Sequence, residues 1–161
     1  MNENMRKRNE VLAQTVIKGL ESRNISGYYA KDKEEALKQA LEIIGEGSTV
    51  AMGGCHNDGI LVNIDGNSNR VSCIAQGPKK VVFIVGMNKV CSDIDEAMKR
   101  ARNVAAPANA QRFDVKTPCK TTGKCFDCKS PDTICCNFLI TRYSRHTGRM
   151  HVILVNDVLG Y

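Results

Sequence analysis

The 161 residues, 42% of them hydrophobic, suit one domain around one core, and with 5% aromatics and no Trp that core must rest on Val, Ile, Leu, Ala and Met. No run of about 18 apolar residues is present to span a membrane, and the basic start MNENMRKRNE lacks the apolar stretch of a secretory signal. A cytoplasmic location is therefore expected, where eight cysteines argue for metal or redox chemistry rather than disulfides, and the net charge of +6 has no aromatic stacking platform beside it to make a nucleic-acid surface.

Met5 to Leu20 reads as a helix, with Met5, Leu12, Val16 and Leu20 on one face and Val11 and Ile17 widening it. Asn24 to Tyr29 is a connection or short strand. Asp32 with Glu35 three residues on has capping-box spacing and predicts a second helix, with Ala36, Leu37, Ala40, Leu41 and Ile44 as its buried stripe and Gly45 as its stop. Ser48 to Met52 reads as a strand running into Gly53-Gly54, a turn whose exposed amides can hold an anion or can simply be tight. Ile60 to Ile64 is strand-like, Asp65-Gly66-Asn67 is turn chemistry, and Val71 to Ala75 is expected to return as the second arm. The polar run Asp65 to Arg70 offers amides and a guanidinium to an anion, or caps its own backbone. Val81 to Gly86 is apolar on both faces, as a central strand is. Ser92 and Asp95 open a third helix ended by Pro107, with Ile94, Ala97, Met98 and Ala101 at helical spacing and Lys99, Arg100 and Arg102 turned to solvent. Phe138 to Thr141 and His151 to Asn156 read as strands. The order predicts an α/β layered domain with a mixed sheet.

The stretch from Thr117 to Cys136 has no apolar run and holds the thiols at Cys119-x5-Cys125-x2-Cys128-x6-Cys135, with Cys136 next. Such a loop needs something other than a hydrophobic core to fix it. Four thiolates from Cys119, Cys125, Cys128 and Cys135 on zinc would do so, and an iron–sulfur cluster uses the same donors. Cys136 is a spare donor. The alternative is a set of free thiols. A redox dithiol at Cys125 and Cys128 lacks the strand-to-helix context such pairs use. From Lys116 to His151 seven basic residues face two acids, a balance that suits thiolate compensation or a solvated surface. His146 and His151 read as structural. No Ser-His-Asp set, Walker loop or G-x-G-x-x-G fingerprint is present.

The segments GPKKVVFIVGMNKV, RNVAAPANAQR, KTPCKTTGKCFDCKSPDTIC and HVILVNDVLGY together resemble the LUD (lactate-utilisation) domain family, in its small cysteine-motif branch similar to the C component of the lactate-utilisation system. The resemblance implies a single domain over residues 1–161 with a Rossmann-like mixed sheet flanked by helices, similar to the NagB/RpiA/CoA-transferase group. It implies a role in oxidising L-lactate to pyruvate beside iron–sulfur partner proteins, and oligomers are possible. It also turns Gly53, Gly54, Asp65, Asn67, Asn69 and Arg70 toward a ligand pocket. One departure stands out: roughly fifty family residues, enough for about one βαβ unit, are absent between Cys55 and Asp58, so Cys55 and His56 are not read as a local motif. The other function considered is a non-catalytic, metal-stabilised module that binds a small anion such as a sugar phosphate or a CoA-like compound.

Overall fold

In the computed structural model, residues 2–44, 48–51 and 54–161 are described, residues 48–51 and 54–56 through their backbone only. The stop expected at Gly45 and the first turn glycine, Gly53, lie outside these residues. The described residues form two four-stranded sheets rather than one mixed sheet. The first is all parallel, in the order β1 (Ser26–Ala30), β8 (Met150–Val155), β5 (Lys80–Gly86), β2 (Ser48–Ala51). The second has the order β6 (Val90–Cys91), β3 (Gly54–His56), β4 (Leu61–Asp65), β7 (Asn137–Thr141), with β4 antiparallel to both neighbours.

Strand β5 lies inside the parallel sheet, as its double-sided apolar character predicts: Val81, Val82, Phe83 and Val85 are buried and Phe83 pairs with Val152 of β8. Helix α1 (Glu3–Ser22) closes one face with Ala13, Val16 and Leu20. Helix α2 (Lys33–Ile43) covers the other, where Ala36 and Ala40 meet Val82, Ile153 and Val155. Its start is as expected: Asp32 Oδ1 accepts the Glu35 amide at 2.9 Å, while Glu35 reaches back to the Lys31 amide at 2.8 Å.

Several expectations are corrected. The buried stripe of α2 is the two alanines; Leu37 and Leu41 stand about 60% exposed, because only the small side chains fit the close approach of the helix to the sheet. Met5 and Val11 of α1 are likewise exposed. Residues Val71 to Ala75 are not a strand but belong to α3 (Asn69–Ala75), which buries Val71 and Ile74. Two side chains impose the helix. The Asp65 carboxylate accepts the amides of Arg70 at 2.8 Å and Val71 at 3.2 Å at its start. At its end buried Arg149 donates to the carbonyls of Cys73, Ile74 and Pro78. Arg149 is therefore a structural cap rather than part of a solvated patch.

The third helix also differs. Asp93, not Ser92 or Asp95, caps α4 (Ile94–Arg100) by accepting the Glu96 amide at 2.6 Å. Pro107 does not end it. A π turn at Ala101–Ala105, marked by the bond from the Ala106 amide to the Ala101 carbonyl, shifts the hydrogen-bond register, and α5 (Ala106–Ala110) continues with Pro107 in its first turn, where a missing amide is harmless.

Candidate functional site

The cavity that matters lies between the mixed sheet and the α4–α5 helix. It has a volume of about 350 Å³. Small side chains make the space: Ala97, Ala101 and Ala105 repeat at i, i+4 on the helix face toward β4, and the π turn brings Ala106 and Asn109 onto the same lining. A π turn in mid-helix recurs at functional sites for this reason, since it re-aims the residues that follow.

Among the described residues the lining carries four cations and no carboxylate side chain: Arg70, Lys89, Arg100 and Arg112. Arg70 and Arg112 are exposed at the rim, and Arg100 is half-buried, its Nε donating to the Asn88 carbonyl at 3.1 Å. Lys89 is only 5% exposed and has no ion pair among the described residues. Burial, and then the charge of Arg100, push its pKa below the usual lysine value. Asn63 of β4 borders the same wall, but its Nδ2, which has no hydrogen-bond partner, is buried away from the cavity, on the strand face opposite Val62, which packs against Cys91 and Ala97. A cation in this position with no ion pair keeps its charge open to a ligand in the cavity. The arrangement can bind an anion.

The predicted pocket residues separate. Gly54 opens β3, paired with Val62. Asp65 is buried; burial raises its pKa, but the amides of Arg70 and Val71 and the Arg70 guanidinium outweigh that and hold the carboxyl below its usual range. Its oxygens are thus engaged by α3. Asn67, Asn69 and Arg70 line an open groove of about 520 Å³ beside Arg112 and Ile134, and of Asp65, Asn67, Asn69 and Arg70 the last alone also lines the basic cavity. Sequence reading passed over Asn63, Lys89 and Arg112, and it turned Arg100 to solvent. The available signal was the alanine repeat, which announces a helix face with room in front of it.

The cysteine loop forms the far wall. It starts with α6 (Pro118–Thr122), which ends at Gly123 in the left-handed conformation (φ 72°). It is tied to the β4–α3 turn where the Cys136 amide donates to the Asp65 carbonyl at 3.0 Å and Ile134 sits so close to Gly66 that a side chain there would force a shift. Cys119, Cys125, Cys128 and Cys135 all line one small cavity of about 60 Å³. The Asp127 amide approaches the Cys125 sulfur at 3.5 Å, as does Arg102 Nη2 at 3.7 Å, while that guanidinium holds Asp127 at 2.6 Å. Arg102 is thus half-buried against the loop rather than solvated. Burial, followed by the charges of the other four thiols, pushes the Cys135 pKa up to about 11. The donor set is right in kind for a soft metal, and amides aimed at sulfur are what a thiolate site needs. As folded, no group of three or more His, Cys, Asp or Glu side chains among the described residues is arranged to hold an ion. Cys135 and Ile134 face both cavities.

Comparison with known proteins follows the same lines. The family model for the LUD domain matches residues 13–57 and 55–155. Among solved structures, the chain is similar to a DUF162 family protein from Deinococcus radiodurans, with a TM-score of 0.51, 10% identity, and coverage of 92% of this chain and 98% of that one. At that identity the likeness concerns the fold alone. Among curated proteins nothing matches this chain. Each of the four segments that carry the resemblance contributes to the basic cavity: Lys89, then Ala105 to Arg112, then Ile134 and Cys135, then Gly160 and Tyr161.

Proposed function

The chain belongs to the LUD-domain family, and from that premise we propose that it serves lactate utilisation by binding a small carboxylate, lactate or its 2-oxo product, in the cation-lined cavity. The observation that supports this reading is the convergence of four separate sequence segments on one pocket that holds Arg70, Lys89, Arg100 and Arg112 with no acid among its described lining side chains. A carboxylate or phosphate suits the planar donors of arginine. Among the described residues no helix is long and apolar enough to cross a membrane. Electrons from lactate would pass to iron–sulfur partner proteins, since the chain shows no nucleotide fingerprint.

The cysteine loop, in this proposal, tightens around one metal through Cys119, Cys125, Cys128 and Cys135. A bound zinc would staple the loop, and an iron–sulfur cluster would also handle electrons. Within the chain itself, the Asp127 amide and Arg102 Nη2 direct their donors at the Cys125 sulfur. Metal analysis of protein purified without oxygen separates the cases: a visible absorption band goes with iron and sulfide, and colourless zinc-loaded protein excludes a cluster in that preparation.

The test of function is lactate-dependent reduction of an electron acceptor by the purified protein with and without its candidate partners. If no mixture containing it outperforms the partners alone, the lactate reading fails. The second reading, a non-catalytic module for a phosphorylated or CoA-like anion, is favoured by the number of cations, which exceeds what a monocarboxylate neutralises. Calorimetric titration with lactate, pyruvate and a sugar phosphate in parallel decides between them.

A further inference from the structure

We infer that Lys89 is a nucleophile, and that it captures the carbonyl of a 2-oxo acid as an imine while the neighbouring arginines hold the acid's carboxylate. This inference rests on the reading that the cavity takes a small carboxylate. Four observations carry it. Lys89 lies in the short helical turn (Met87–Lys89) directly after β5, at the carboxyl end of an interior parallel strand, where α/β proteins place ligands. It is 5% exposed and lines the 350 Å³ cavity. No carboxylate pairs with it among the described residues, and Arg100 is the charge beside it. Desolvation next to another cation is the established route to an unprotonated, reactive lysine.

The surroundings supply what the step requires. The carboxylate of the ligand is taken by Arg100 with Arg70 or Arg112 at the rim. The Lys89 lone pair attacks the keto carbon, the carbon–nitrogen bond forms, and the carbonyl π electrons move to oxygen, which gains a proton. Loss of the oxygen as water leaves the protonated imine. The exchange consumes one ketone, one amine and one proton and releases one water. It involves no oxidant, and addition of water reverses it. Lactate has the carboxylate but no carbonyl, so it competes for the arginines and forms no bond.

The experiment is borohydride trapping on the full chain. Protein is mixed with pyruvate, reduced with sodium borohydride, weighed intact and mapped by peptide mass, while pyruvate binding is measured separately by calorimetry without reductant. The expected result is one adduct per chain, heavier by pyruvate less one oxygen atom, located on Lys89, suppressed by excess lactate and lost in Lys89→Arg. The site mapping in the unaltered protein does not depend on how that variant folds. Pyruvate that binds without being trapped overturns the imine and leaves the carboxylate pocket standing. Absence of both binding and adduct overturns the two together. Adducts scattered over surface lysines and indifferent to lactate also overturn the inference.

Discussion

The two sheets solve different problems. The parallel sheet is dry and filled: Phe83, Val81, Val85, Val152 and Leu154 are fully buried between α1 and α2, with alanines setting the helix distance on the α2 side. The mixed sheet buries polar groups, Asn63 and Asp65, and stands off from its helix across a cavity that Lys89, in the turn leading into β6, also lines. One half is organised for stability, and the other holds buried polar and charged groups beside a cavity. The difference teaches where substitutions should be silent and where they should not.

The largest expected effect is in the filled half. Phe83→Ala leaves a void in a close-packed layer and should cost about 3–5 kcal/mol, read as a lower denaturant midpoint. Asp65→Ala comes next. It removes the acceptor for the first amides of α3 and should cost about 1–2 kcal/mol as a lost cap. The same carboxylate has a depressed pKa in the folded state, so its contribution is present above the unfolded carboxylate value of about 4 and disappears as pH falls through the lower folded value. In Asp65→Ala the acid limb of the stability profile should be shallower, and an unchanged limb would sink the cap assignment.

Ala101→Leu should do the reverse of Phe83→Ala. Its extra carbons enter existing space, so stability should move by less than about 1 kcal/mol, while anion affinity falls by on the order of tenfold or more in calorimetry. A destabilised variant with intact binding would mean the cavity is not the ligand site. The smallest effect concerns His151, which is buried, accepts or donates at 3.1 Å with the Tyr28 hydroxyl, and meets the Gly148 carbonyl through Nε2 at 2.9 Å. Burial lowers its pKa against the opposing bond to Gly148, so it folds neutral; its contribution is complete above about 6.5 and is lost as pH falls toward the lower folded value. His151→Gln should flatten the stability curve in that window, as followed by thermal melting.

How much of this was legible in the sequence follows from which forces set each part. Strand β5 and the α2 cap were readable because both signals are local: a continuous apolar run, and Asp32 three residues before Glu35. Helix α3 was not, because its β-branched Val71 and Ile74 fit a strand equally well, and the residues that decide the matter, Asp65 and Arg149, stand outside it. Cys119, Cys125, Cys128 and Cys135 do line one cavity, although only the Cys125–Cys128 spacing is a regular one. The basic pocket was missed for the same reason that α3 was. A lysine or arginine on an element surface is ordinarily solvated, and only the distant approach of β4, the cysteine loop and the C-terminal segment converts Lys89 and Arg100 into lining. That segment is itself fixed by Asn88, whose Oδ1 accepts the Leu159 amide at 3.1 Å and whose Nδ2 donates to the Gly160 carbonyl at 3.3 Å, over a glycine, Gly86, that leaves room for it.

Cys135 and Ile134 separate the thiol cavity from the basic one and belong to both. If drawing Cys135 toward its fellow sulfurs changes the affinity of the neighbouring compartment by some factor, linkage requires that filling that compartment change the readiness of the sulfurs by the same factor. In that case the reactivity of the Cys135 thiol toward a small alkylating reagent reads occupancy next door, without any knowledge of turnover.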